Sequence, residues 1–245
     1  MTNATVIAAP DYKDPRHAYQ RPRDAATLIL IDRSKRKPKV LMGRRHAGHK
    51  FMPGVFVFPG GRVDPADREM VAAGMLDPVV ETRLMARTQR PTLQRARAMA
   101  LAAVRETYEE TGLMLGSRDY GAPEAPADGP WAAFAEHGVF PVLETLHYVA
   151  RAITPPGRSR RFDTRFFAAD VEDVAHRTDP NIGPDSELVE LVWVDLDKAA
   201  SLEAPWITHV ILADVKARID AGFSPFLPVP FYHELHGKRL REEIA

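Results

Sequence analysis

The segment Arg105-Glu106-Thr107-Tyr108-Glu109-Glu110-Thr111-Gly112-Leu113 holds the residues of this chain best suited to chemistry. On a helix, Glu106, Glu109 and Glu110 stand three and four residues apart, so their carboxylates share one face. Like charges at those spacings cost about 0.2–0.5 kcal/mol per pair. A hard divalent cation, Mg²⁺ or Mn²⁺, would remove that repulsion, because such ions favour oxygen ligands. Taken alone, the pattern reads more readily as a solvated acidic helix face. The surrounding sequence has to decide between the two.

The elements that must position these acids can be read on either side. Helix formers dominate Leu93 to Glu110, Thr92 follows Pro91 as an N-cap, and Gly112 stands where a helix turns off in the left-handed region. Leu101, Val104, Tyr108 and Leu115 form the expected core-facing side. Upstream, Val55 to Phe58 is a short strand running into Pro59-Gly60-Gly61, and tandem glycines let backbone approach a ligand closely. Ala26 to Ile31 and Lys39 to Met42 are strands joined by the charged turn Asp32 to Pro38, after a polar lead-in over 1–25. Asp67 to Ala73 and Val79 to Gln89 are two helical segments of a lid-like element inserted beside the acids. Ser117 to Pro130 is a loop before a short helix, Trp131 to His137. Leu143 to Ile153, Arg161 to Ala168 and Leu188 to Val194 are strands, and Thr154 to Ser159 has turn chemistry. A helix over Ala204 to Ala221, ended by Gly222, precedes a tail. The sum is an α/β (α+β) sandwich around a mixed sheet, a single domain over 1–245 with an insertion at 62–91 and a C-terminal helix and tail at 204–245.

Composition narrows the function classes. The 245 residues carry 33 Lys plus Arg and 33 Asp plus Glu, and this balance argues against a general nucleic-acid binder. Cysteine is absent, which excludes a thiolate nucleophile, a disulfide framework and a cysteine zinc site. No apolar run has the length of a membrane span, and Met1 to Tyr19 lacks a signal-peptide core. A soluble, cytoplasmic protein without membrane or nucleic-acid partners is the expectation. His147, His176 and His209 lack the spacing of a metal site.

With the glycine pair and the acidic helix placed, the chain resembles the Nudix hydrolases, whose signature is G-x5-E-x7-R-E-U-x-E-E-x-G-U with U a bulky aliphatic. Every fixed position of the second half matches from Arg105 to Leu113, except that Thr107 replaces an aliphatic residue. The first half reads Gly61-Arg62-Val63-Asp64-Pro65-Ala66-Asp67, with Asp67 in place of glutamate, and 37 residues instead of seven separate Asp67 from Arg105. The stretch Arg44 to Gly61, Arg151-Ala152-Ile153-Thr154-Pro155 and Arg161 to Phe167 are similar to the branch that includes mammalian acyl-coenzyme A diphosphatases, which also has an inserted box.

The resemblance implies a Nudix α/β/α sandwich and metal-dependent hydrolysis of a diphosphate in a nucleoside diphosphate-X compound. Coenzyme A or an acyl ester is the leading substrate, giving a 4′-phosphopantetheine species and adenosine 3′,5′-bisphosphate. ADP-ribose, NADH or nucleoside triphosphates are the alternatives, and a non-catalytic nucleotide-binding regulatory module is the rival of another class. Glu106, Glu109, Glu110 and the Gly60 carbonyl would hold Mg²⁺ or Mn²⁺, and Arg105 would orient the carboxylates. The general base would be a box glutamate such as Glu109, or an acid before the late strand, Glu187 ahead of Asp185. Substrate contacts would come from Arg44, Arg45, Phe51, Gly61 and Arg161, with Arg158 and Arg160 also basic and nearby. The insertion and Met52 would line an apolar groove for pantetheine. A homodimer is an analogy from the family only.

Overall fold

The computed structural model describes residues 4–8, 17, 20–48, 52–183 and 186–245. Its first strands are β1 (Thr5–Val6), β2 (Arg23–Asp32), β3 (Lys39–Arg45), β4 (Phe56–Val57) and β5 (Gly60–Arg62). Helices α1 (Ala66–Glu69), α2 (Pro78–Met85) and α3 (Leu93–Thr111) follow, then β6 (Leu113–Leu115), α4 (Ala132–Glu136), β7 (His147–Ile153) and β8 (Phe162–Asp170). The chain closes with β9 (Val174–Arg177), β10 (Leu188–Asp195), α5 (Leu196–Ala199), α6 (Trp206–Asp220), β11 (Val229–Leu235) and β12 (Lys238–Ile244).

Period-two alternation in β2 sets the layers. Leu28 and Leu30 pack with Met99, Ala100 and Leu101 of α3, whereas Ile29 and Ile31 pack with Ile211, Leu212 and Val215 of α6. Both faces of the sheet are therefore buried under helices. The sheet runs β1-β12-β11-β7-β8-β2-β3-β10, with β4 against β3 and β5 against β2. It is mixed: β2 pairs parallel with β8 and β7 with β11, and the other pairs are antiparallel. This is the α/β sandwich expected from the sequence.

Helix α3 ends where its capping residues say it should. Thr92 Oγ1 accepts from Arg95 N at 3.1 Å, and Gly112 takes φ 72° beyond the last turn. Thr107 fits the position of an aliphatic residue because its buried hydroxyl donates to Ala103 O at 2.8 Å within its own helix.

Two expectations are corrected. The 62–91 segment is not a lid: Met70, Leu76, Val80 and Leu84 are buried in the α3 core cluster. Ala98 to Val104 are each at most 1% exposed, since small side chains let a second layer close over the helix. The tail after α6 is a hairpin, β11–β12, whose turn places His236 and Gly237 both at positive φ. β1, within the lead-in, adds to its edge at Thr5↔Arg241.

A Cβ on Gly112 would lie 2.5 Å from Thr178 O while φ stayed left-handed. Gly112→Ala should therefore lower unfolding free energy by about 1–3 kcal/mol. A urea melt reads this as a lower midpoint, and an unchanged midpoint would contradict the cap assignment.

Candidate active site

Arg105, 4% exposed on the penultimate turns of α3, joins three elements, α1, β5 and α3. Its Nε and Nη2 donate to the two oxygens of Asp67 at 2.8 and 3.0 Å, a bidentate pair. Nη2 also donates to Arg62 O at 2.9 Å, and Nη1 donates to Glu106 at 3.0 Å and Glu109 at 2.8 Å. Asp67 is fully buried and takes two further donors, Asp64 N at 2.8 Å and the Trp131 indole at 3.1 Å. Burial opposes the charge on Arg105, but Asp67, Glu106 and Glu109 outweigh it and raise its pKa. Asp67, standing where the signature has glutamate, is thus the buried partner of Arg105. Trp131 was not foreseen; nothing in its local sequence points to a site 64 residues upstream.

The glycine turn closes on the same acids. Gly60 N–H donates to Glu110 Oε2 at 3.1 Å. A Cβ on Gly61 would lie 2.4 Å from the Glu106 carboxyl carbon, and one on Gly60 would lie 2.5 Å from Ala26 O. Neither position has room for a side chain. Burial, then repulsion from Glu109 and Glu187, pushes Glu106 up to about 7 against the pull of Arg105. Glu110 rises well above the ordinary carboxylate range through burial first, then through Glu187 and Glu106. Glu109 is raised, chiefly by burial. Glu187 therefore belongs electrostatically to the cluster.

The remaining expected residues divide. Arg45 Nη2 pairs with Glu187 at 2.8 Å, and Arg44 Nε pairs with Glu190 at 2.8 Å while lying over the Phe56 ring at 4.6 Å. Arg161 is committed to backbone, donating to Thr154 O at 2.9 Å and Gln20 O at 2.7 Å. Phe51 and Asp185 lie outside the described residues. His176 stacks on His137 with centroids 4.4 Å apart, and His147 on Phe223 at 4.6 Å.

Chemically, Glu106, Glu109 and Glu110 suit a hard divalent cation: three crowded carboxylates whose pKa values are raised first by burial and then by neighbouring acids. Among the described residues no three ligand-type side chains already converge on one point. Arg105 draws Glu106 and Glu109 to itself, so an incoming cation would compete with its Nη1 for them.

A crystal structure of a Nudix hydrolase from Alicyclobacillus acidocaldarius superposes with a TM-score of 0.57 at 29% identity, covering 80% of this chain and 91% of that one. Human acyl-coenzyme A diphosphatase NUDT19 is 28% identical across 78% of this chain. In sequence and in fold the chain is similar to Nudix hydrolases. Nudix hydrolase 7 of Caenorhabditis elegans is 27% identical across 71% of the chain. The aligned part spans 60% of the human relative and 51% of the nematode one. No family model matches the chain. Among the described residues no helix is long and apolar enough to cross a membrane.

The raised Glu106 makes a signed prediction for the Nudix box. Its folded pKa of about 7 exceeds its ordinary 4.5, so between these values the native state binds more protons than the unfolded chain. In EDTA, stability should fall as pH rises from about 4.5 to 7, by on the order of 1–3 kcal/mol, and saturating Mg²⁺ should flatten the fall. Denaturant melts across that range check it; stability rising with pH in EDTA would contradict it.

Proposed function

We propose that this Nudix chain hydrolyses the diphosphate of a nucleoside diphosphate-X compound, with coenzyme A or acyl-coenzyme A as the substrate class. The carrying observation is the carboxylate cluster of α3, closed by Gly60 and Gly61 and oriented by the Asp67-locked Arg105. A bound Mg²⁺ or Mn²⁺, held by Glu106, Glu109 and Glu110, would supply positive charge for the phosphoryl oxygens and acidify water. The residues of the chain do the rest. Glu187 accepts a proton from the attacking water as the new O–P bond forms. The bridging P–O bond breaks, and its oxygen leaves with the other phosphate.

Glu187 suits that role because it couples to Glu106 and Glu110 and stands immediately before β10. Its partner Arg45 restrains it and lowers Glu110 as well, so Arg45 acts on both the proposed base and a proposed metal ligand. Arg44 is the better candidate for an external phosphate. Its side chain is 44% exposed, and its bond to the equally exposed Glu190 is a surface pair worth under about 1 kcal/mol, readily exchanged. Arg161 has no such freedom, because two carbonyls occupy it.

The coenzyme A preference rests on the split box and on the likeness to the human acyl-coenzyme A diphosphatase. A panel of coenzyme A, an acyl ester, ADP-ribose, NADH and a nucleoside triphosphate with Mg²⁺ tests it. The expected products are adenosine 3′,5′-bisphosphate and a 4′-phosphopantetheine species; no coenzyme A turnover beside a fast alternative would overturn the substrate. Glu110→Gln should lower kcat about 100-fold or more with the fold intact by circular dichroism. Full activity in that variant would remove Glu110 from the site.

A further inference from the structure

Five arginines are buried among the described residues: Arg83, Arg105, Arg151, Arg165 and Arg218. Three have a carboxylate in contact. Arg105 pairs with Asp67 at 2.8 Å, Arg151 with Asp163 at 2.7 Å and Arg165 with Asp163 at 2.9 Å. Arg83 and Arg218 have no carboxylate within ion-pair distance among the described residues. Arg83 donates to the carbonyls of Pro225, Phe226 and Leu227, and Arg218 donates to those of Val149 and Pro228.

Both unpaired arginines line one cavity of about 140 Å³, bounded by α2 of the insertion, the start of β7, α6 and the loop into β11. One water needs only ~10–15 Å³ of such space, so the cavity has room for a polyatomic ion. Buried guanidinium is costly without a negative partner. Here the two also repel: burial lowers the pKa of Arg218, and Arg83 lowers it further against Asp214. Tyr148 adds to the polar wall, 3% exposed, with a hydroxyl that has no hydrogen-bond partner. His147, also lining the cavity, is held toward its neutral form by burial.

Nearby acids do not settle this charge. Asp77 accepts from Val79 N as the cap of α2, and Asp214 accepts from the Tyr232 hydroxyl. Glu144 is exposed at the cavity wall.

We infer that this cavity is a binding site for a small tetrahedral oxyanion of the phosphate class, held by Arg83 and Arg218. The anion would join α2, α6 and the Phe223–Val229 loop, which the two arginines already grip from either side. The site stands apart from the Nudix box, and the inference does not depend on the proposed activity. It also gives the insertion a chemical role: α2 supplies one of the two cations.

Thermal melts in EDTA with phosphate or sulfate, against chloride at matched ionic strength, test it. Wild-type protein is expected to show a saturable Tm rise of about 3 °C with either oxyanion and none with chloride. Arg83→Met or Arg218→Met should raise the half-saturating phosphate at least tenfold, whereas Arg44→Met, beside the Nudix box, should leave it unchanged. Should both buried substitutions unfold the protein, Glu144→Gln at the cavity wall still reads the site, lowering half-saturation several-fold. No saturable shift in wild type overturns the inference. So does a shift that Arg44→Met abolishes, or one that neither the arginine variants nor Glu144→Gln moves.

Discussion

The bidentate pair between Asp67 and Arg105 is the constraint on which the site depends. It is buried on both sides, and every N–H of the guanidinium is directed at Asp67, Arg62 O, Glu106 or Glu109. Removing one partner of such a pair costs about 3–5 kcal/mol, because the other charge is left stranded. The pair also joins the two halves of the Nudix box across the 37 residues that separate them, where the signature has seven. The added length can be tolerated because its ends are held by α1 against α3 and by Asp67 against Arg105, leaving the glycine turn beside the acids.

The site stores electrostatic tension. Glu106 is repelled by Glu109 and Glu187, and Glu110 by Glu187 and Glu106, while Arg105, Arg45 and the Gly60 N–H offset them. A fold selected for stability alone would not place four carboxylates there. In the proposed reading, the same tension would favour a divalent cation at the cluster and leave Glu187 to take the proton. Gly60 and Gly61 make the crowding sterically feasible, since any Cβ at Gly61 would occupy the space of the Glu106 carboxylate.

Much of this was legible in the chain because the signals are local. The acid spacing of α3, its Thr92 and Gly112 ends and the Pro59-Gly60-Gly61 turn depend on residues within a few positions of one another. The site's distant partners were not. Trp131 reaches Asp67 from 64 residues away, and no periodicity encodes that contact. Arg161 has the charge of a phosphate ligand, yet its guanidinium donates to two backbone carbonyls far apart in the chain, those of Thr154 and Gln20. The β11–β12 hairpin went unread because charged residues along Lys238–Ile244 blur its alternation. The insertion's sparse apolar residues gave no hint that together they roof an alanine-rich helix.

The central claim is that Asp67, through Arg105, holds the Nudix carboxylates ready for a cation. Mn²⁺ binding to Asp67→Asn, measured by titration on protein shown to be folded by circular dichroism, tests it most directly. A 10–100-fold loss of Mn²⁺ affinity relative to wild type is predicted. Wild-type affinity in folded Asp67→Asn would show that the carboxylates need no such support.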